Sequence, residues 1–103
     1  MPSREEVYSA LDSERDYQQS RAAEAHPEHP EEHIHSVNDY VVYMDDYMNE
    51  LKHQLSRIWV PEGQIPEALN TLRKITALGV AAMEQNGAPL RWCAKGPDGK
   101  IIH

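Results

Sequence analysis

Ten consecutive positions, HPEHPEEHIH at 26–35, hold four histidines, three glutamates and two prolines. Zinc takes three or four converging ligands, and His26, His29, His33 and His35 could supply imidazole nitrogens. Their spacing matches no established ligand motif, and the single cysteine, Cys93, stands far away in the chain. Prolines set among glutamates describe an acidic connector, so the stretch is read as a linker with no metal assigned. A second set, Asp46, Glu50 and His53, falls at i, i+4 and i+7 and shares one helical face. It could hold a divalent ion such as magnesium, because Glu50-x-x-His53 has the local pattern of carboxylate-bridged metal bundles. That face lies opposite the apolar line of the same segment, which favours a solvated acidic surface. The third set is cationic and aromatic. Arg73 and Lys74 sit in a weakly charged segment, and Arg91 and Trp92 follow Gly87 and Pro89. Tyr40, Tyr43 and Tyr47 form a stripe whose rings can pack while their hydroxyls reach a partner. Cations beside flat rings suit a nucleotide, with charge for phosphate and a face for the base. Arg73, Lys74, Arg91, Trp92, Tyr40 and Tyr47 are therefore the candidate ligand-binding residues, and no catalytic residue is assigned. Cys93 has no local base pattern, and neither a G-x-S-x-G elbow nor a phosphate loop occurs.

The elements that must position these residues read as all-α. Ser3 with Glu6 forms a capping-box pattern ahead of Val7, Tyr8 and Leu11, which predicts a helix over 3–25. It ends where His26 precedes Pro27, since a residue before proline avoids the helical region. Ser36 with Asp39 caps a second helix over 36–58. Within it Val37, Val41, Met44, Met48, Leu51, Leu55 and Ile58 keep alternating steps of four and three, an apolar seam suited to lengthwise packing on another helix. Pro61, Gly63 and Pro66 break the chain before a third helix over 66–86, which stops at Gly87. Its Leu69, Leu72, Ile75, Thr76, Gly79, Val80, Ala82 and Met83 cover more of the circumference than one partner helix can shield. Ala77, Gly79, Ala81 and Ala82 leave room for close backbones. The expectation is a long antiparallel hairpin of the second and third helices that buries its remaining apolar surface by self-association into a homo-oligomer. The tail, 88–103, carries a GPDG turn between Trp92 and Ile101–Ile102, and reads as a small β-hairpin or a flexible tail.

Composition narrows the function classes. At 103 residues the chain is one domain. Its net charge of −7 is concentrated early: residues 1–60 carry five cations and thirteen anions, residues 61–103 five and four. Such a surface repels a phosphate backbone, which argues against binding a nucleic-acid polymer but leaves room for a small anion at a local basic spot. No run of eighteen apolar residues and no secretory leader is present, so a cytoplasmic protein without a membrane partner is expected.

The segments LDSERDYQQ, HSVNDYVVYMDDYMNELK and LRKITALGVAAMEQNGAPLR resemble small, uncharacterised helical proteins encoded by bacteriophages, which implies the cytoplasm of a bacterial host. ITALGVAAME is similar to the alanine-rich helix ends of MazG-like, all-α nucleotide pyrophosphohydrolases. That resemblance implies magnesium held by E-E-x-x-E and E-x-x-D motifs. Here Glu5 and Glu6 are followed by Ser9 where the third glutamate belongs, and Asp45, Asp46 and Glu50 stand at other spacings. In size, helical hairpin and oligomeric habit the chain also resembles phage sponges that trap nucleotide second messengers. The leading expectation is a non-enzymatic, oligomeric protein that binds or sequesters a small nucleotide-like anion at a subunit boundary, without a cofactor. The alternatives are a magnesium-dependent pyrophosphohydrolase using Asp46, Glu50 and His53, and a module that grips a host protein.

Overall fold

The computed structural model describes residues 1–25, 27–28, 34–56, 64–91, 94–95 and 101–102. They form α1 (Arg4–Ala25), α2 (Val37–Leu55) and α3 (Gln64–Asn86), followed by β1 (Ala94–Lys95) and β2 (Ile101–Ile102). The two short strands pair antiparallel, Ala94 opposite Ile102 and Lys95 opposite Ile101. The GPDG turn, Trp92, Cys93, His26, His29, His33 and Ile58 lie outside the described residues.

Local chemistry explains the helix ends. Ser3 Oγ accepts from the Glu6 amide at 3.1 Å, which occupies one of the donors left over at the start of α1. At α2 the capping box is complete: the Asp39 amide donates to Ser36 Oγ at 3.1 Å, and the Ser36 amide donates to Asp39 Oδ2 at 3.3 Å. This helix ends at Leu55, before the expected 58. The Ser56 amide and hydroxyl both donate to the His53 carbonyl, at 3.3 and 2.9 Å, which closes the last turn early. The third helix begins at Gln64, two residues ahead of Pro66. Proline is accommodated there because the first turn has no use for its missing N–H. The helix stops at Gly87, whose φ of +120° lies in the range glycine tolerates and whose amide donates to the Met83 carbonyl at 2.8 Å.

In the middle lies α3, with α2 on one flank and α1 on the other; among the described residues α1 does not pack on α2. The chain directions of α2 and α3 are opposed: His35 meets Gln85 and Asn86, while Met44 meets Gly79. The α2 seam is rotated from the expected one. Tyr40 is its most buried residue, 3% exposed, and the line facing α3 runs Tyr40, Met44, Tyr47, Leu51. Val37, Val41 and Leu55, all in the expected seam, are exposed. The reason is steric fit. The facing strip of α3 offers Ala68, Thr71, Ile75 and Gly79, and large side chains drop into such a groove where β-branched valines would not fill it. A methyl at Gly79 would stand 3.6 Å from the end of Met44, an ordinary contact. Gly79→Ala should therefore stabilise the fold by about 0.5–1 kcal/mol through helix propensity, read as a raised Tm in thermal unfolding.

The first helix buries charged rather than apolar side chains against α3. Val7 and Tyr8 are exposed, and the residues it buries are Glu14 and Arg15. Glu14 pairs with Arg73 and Arg15 with Glu84, and between those two positions of α3 stand Ala77 and Ala81, which are essentially inaccessible. Small side chains on α3 thus bring α1 close, and charge pairing holds it there.

Candidate functional site

On α1, Glu14, Tyr17, Gln18 and Arg21 follow one another at helical spacing and share one face. That face meets Lys74 and Leu78 of α3, and Tyr47 of α2 closes the far side. Together they line a cleft of about 340 Å³. The three walls come from three helices because α3 is central and turns its 74–78 side outward between its two partners.

The charges in the cleft are unequal in availability. Lys74 Nζ stands 5.9 Å from the centre of the Tyr47 ring, a cation on an aromatic face. Among the described residues neither Lys74 nor Arg21 is in an ion pair. Arg73 is committed: its Nε donates to Glu14 Oε1 at 2.9 Å and its Nη2 donates to Asn70 Oδ1. Glu14 is 6% exposed, so the arginine neutralises a buried carboxylate and is not a free phosphate ligand. Further along the same helix contact Arg15 grips Glu84 with two parallel bonds, Nε to Oε1 at 3.1 Å and Nη2 to Oε2 at 2.9 Å. Its guanidinium holds the Glu84 carboxyl below the ordinary value of 4.5.

The remaining sequence candidates go elsewhere. Tyr40 belongs to an edge-to-face cluster with His35 and Tyr43, with ring centres 5.3 to 6.3 Å apart. His35 also ties the start of α2 to the end of α3. Its amide donates to Gln85 Oε1 at 2.9 Å, and its carbonyl accepts from Asn86 Nδ2 at 3.1 Å. This histidine is thus a structural clasp. Asp46 and Glu50 line a neighbouring groove of about 460 Å³ with Tyr43, Tyr47 and Leu78. Both carboxylates and His53 are exposed, and no group of three His, Cys, Asp or Glu side chains converges for a metal ion among the described residues. Arg91 is exposed beyond α3, and Trp92 lies outside the described residues.

Of the six candidate ligand residues the structure therefore brings Lys74 and Tyr47 together, with Arg73 alongside in a carboxylate pair. It adds Tyr17 and Arg21, which the sequence reading passed over. Their signal was available: Glu14, Tyr17 and Arg21 recur on one face. It was hidden because the line that begins with Val7 and Leu11 turns polar at Glu14, Gln18 and Arg21, so no apolar periodicity marks it as a contact face.

The opposite side of the layer is apolar. Ile65, Leu69, Leu72 and Met83 of α3 are all 42–59% exposed, and Val37, Val41 and Leu55 of α2 add to the exposed set. Val7, Leu11, Leu69 and Leu72 line a groove of about 420 Å³ between α1 and α3 on that side. Helical arithmetic sets Leu72 and Lys74 about 160° apart around α3, by one short arc. Among the described residues no helix is long and apolar enough to cross a membrane. No protein-family model matches this chain, and neither does any curated protein or solved structure.

Proposed function

We propose that this protein binds and sequesters a small, anionic, nucleotide-like ligand in the cleft between its three helices, without turning it over. The observation that carries the reading is Lys74 poised on the Tyr47 ring, with Tyr17 and Arg21 on the facing wall. A phosphate finds an ammonium and a guanidinium, and a base finds aromatic faces. The one carboxylate in that lining, Glu14, already accepts from Arg73, so the cleft offers no available general base. Binding without chemistry agrees with the resemblance to phage-encoded sponges, in which removing a nucleotide signal is the function. Calorimetric titration with a panel of nucleotides tests it, with Lys74→Ala as the variant that should lose the signal. Absence of heat with every member would end the reading.

The working form is a homo-oligomer joined through the apolar side. The exposed set Ile65, Leu69, Leu72, Met83, Val37 and Val41 is apolar, and a gathered apolar surface of this kind marks an interaction site. Chains that each carry −7 repel except where an uncharged face meets its own copy. The cleft stands on the other side of α3, so each chain keeps a complete site of its own. Light scattering on a sizing column should give a multiple of 11.8 kDa, and Leu72→Glu should reduce it to that single mass. A native chain already at the single mass would refute the assembly.

A further inference from the structure

We infer that the cleft selects a mononucleotide bearing a single phosphate group over the corresponding triphosphate, a deeper statement that rests on the ligand-binding reading above. Charge balance is the first reason. Among the described residues that line the cleft, the two cations without ion-pair partners are Lys74 and Arg21. A phosphate monoester carries about −1.5 to −2 at neutral pH, which these two cations match. Arg73 adds nothing to that balance, because its charge is consumed by the buried Glu14.

Geometry supplies the second reason. Tyr47 and Leu78 line both the cationic cleft and the adjoining groove, and that groove carries Asp46 and Glu50. A phosphate chain that grows past Lys74 along Tyr47 therefore runs from two cations towards two carboxylates. On the other side of Lys74 the surface continues to Asn70, Arg73 and Glu14, and the last two are already paired with each other. A longer phosphate tail thus meets two carboxylates in one direction and gains no available cation beyond Lys74 in the other. Size agrees, since about 340 Å³ lies near the lower bound of small-ligand pockets and suits one nucleoside with one phosphate. The base is placed between Tyr17 and Tyr47, which reach the cleft from different helices.

Titrating the full-length protein with AMP and ATP, and in parallel with GMP and GTP, measures the selectivity directly. The monophosphate should bind on the order of tenfold more tightly than the triphosphate, the cost of holding extra charge near two carboxylates in a watery groove. The double variant Asp46→Asn, Glu50→Gln changes only exposed residues and should fold normally. It should raise triphosphate affinity and leave monophosphate affinity unchanged. Equal or tighter triphosphate binding that is still lost in Lys74→Ala would overturn the selectivity and leave the site standing. No binding of any nucleotide would overturn both.

Discussion

Lys74→Ala should lower affinity for a nucleotide ligand at least ~10-fold while leaving the fold intact. A hydrogen bond to a charged group contributes about 1.5–3 kcal/mol, and the ammonium supplies it in a cleft where Arg21 is the other available cation. The structural cost is small. Lys74 is half-buried and its contact with Tyr47 is a cation–aromatic one, worth about 0.5–1 kcal/mol at an exposed site. Tyr17→Ala provides the matching test of stacking. Tyr17 is mostly exposed, so its removal should change Tm little and weaken binding by about 1–3 kcal/mol. Calorimetry gives the affinities and circular dichroism the helicity. Loss of binding accompanied by loss of helix would assign Lys74 to the fold rather than to the ligand.

Arg73→Ala should do the reverse and destabilise the protein by about 3 kcal/mol, with Tm falling by more than ~10 °C. Removing the guanidinium takes from Glu14, 6% exposed, the cation that holds it at 2.9 Å and leaves a largely buried carboxylate without that partner. The figure is set near the lower end for broken buried pairs because the Arg73 side chain is itself 37% exposed. Against a domain stability of ~5–15 kcal/mol this is a large loss. Replacing both partners, Glu14→Met with Arg73→Met, should recover most of it, since two apolar side chains of similar length leave no charge behind. An unchanged Tm in Arg73→Ala would contradict the role of this pair in docking α1. The two predictions also show why Arg73 and Lys74 cannot be replaced together to test binding: the pair of changes would mix loss of a ligand contact with loss of a helix contact.

The contrast between these neighbours marks what a sequence of this kind discloses. Helix ends are local chemistry. Ser3, Ser36 and Gly87 announce themselves through side chains that act within three or four residues, and the structure places caps at all three. Helix faces are relational. Glu14 and Arg73 are 59 positions apart and Arg15 and Glu84 are 69 apart, so nothing within α1 could indicate which partners would neutralise its buried charges. The rotation of α2 has the same origin. Its seam of Val37, Val41, Met44 and Met48 and its stripe of Tyr40, Met44 and Tyr47 lie side by side, and only the groove of small residues on α3 decides between them. Reading the tyrosines as a stripe was sufficient to name Tyr47 beside Lys74. It could not separate Tyr47 from Tyr40, which the clasp formed by His35 draws into a different cluster. Tyr17 and Arg21 were missed because their importance depends on where α1 docks.

The cleft around Lys74 is proposed to hold a nucleotide-sized anion. Native mass spectrometry of untagged protein purified from bacterial cells, comparing intact complexes with the denatured chain, tests it most directly. The expected spectrum is a multiple of the 11.8 kDa chain carrying one adduct of nucleotide mass per chain, with the adduct missing in Lys74→Ala. A bare chain that also takes up no nucleotide when AMP, GMP and their triphosphates are added would contradict it.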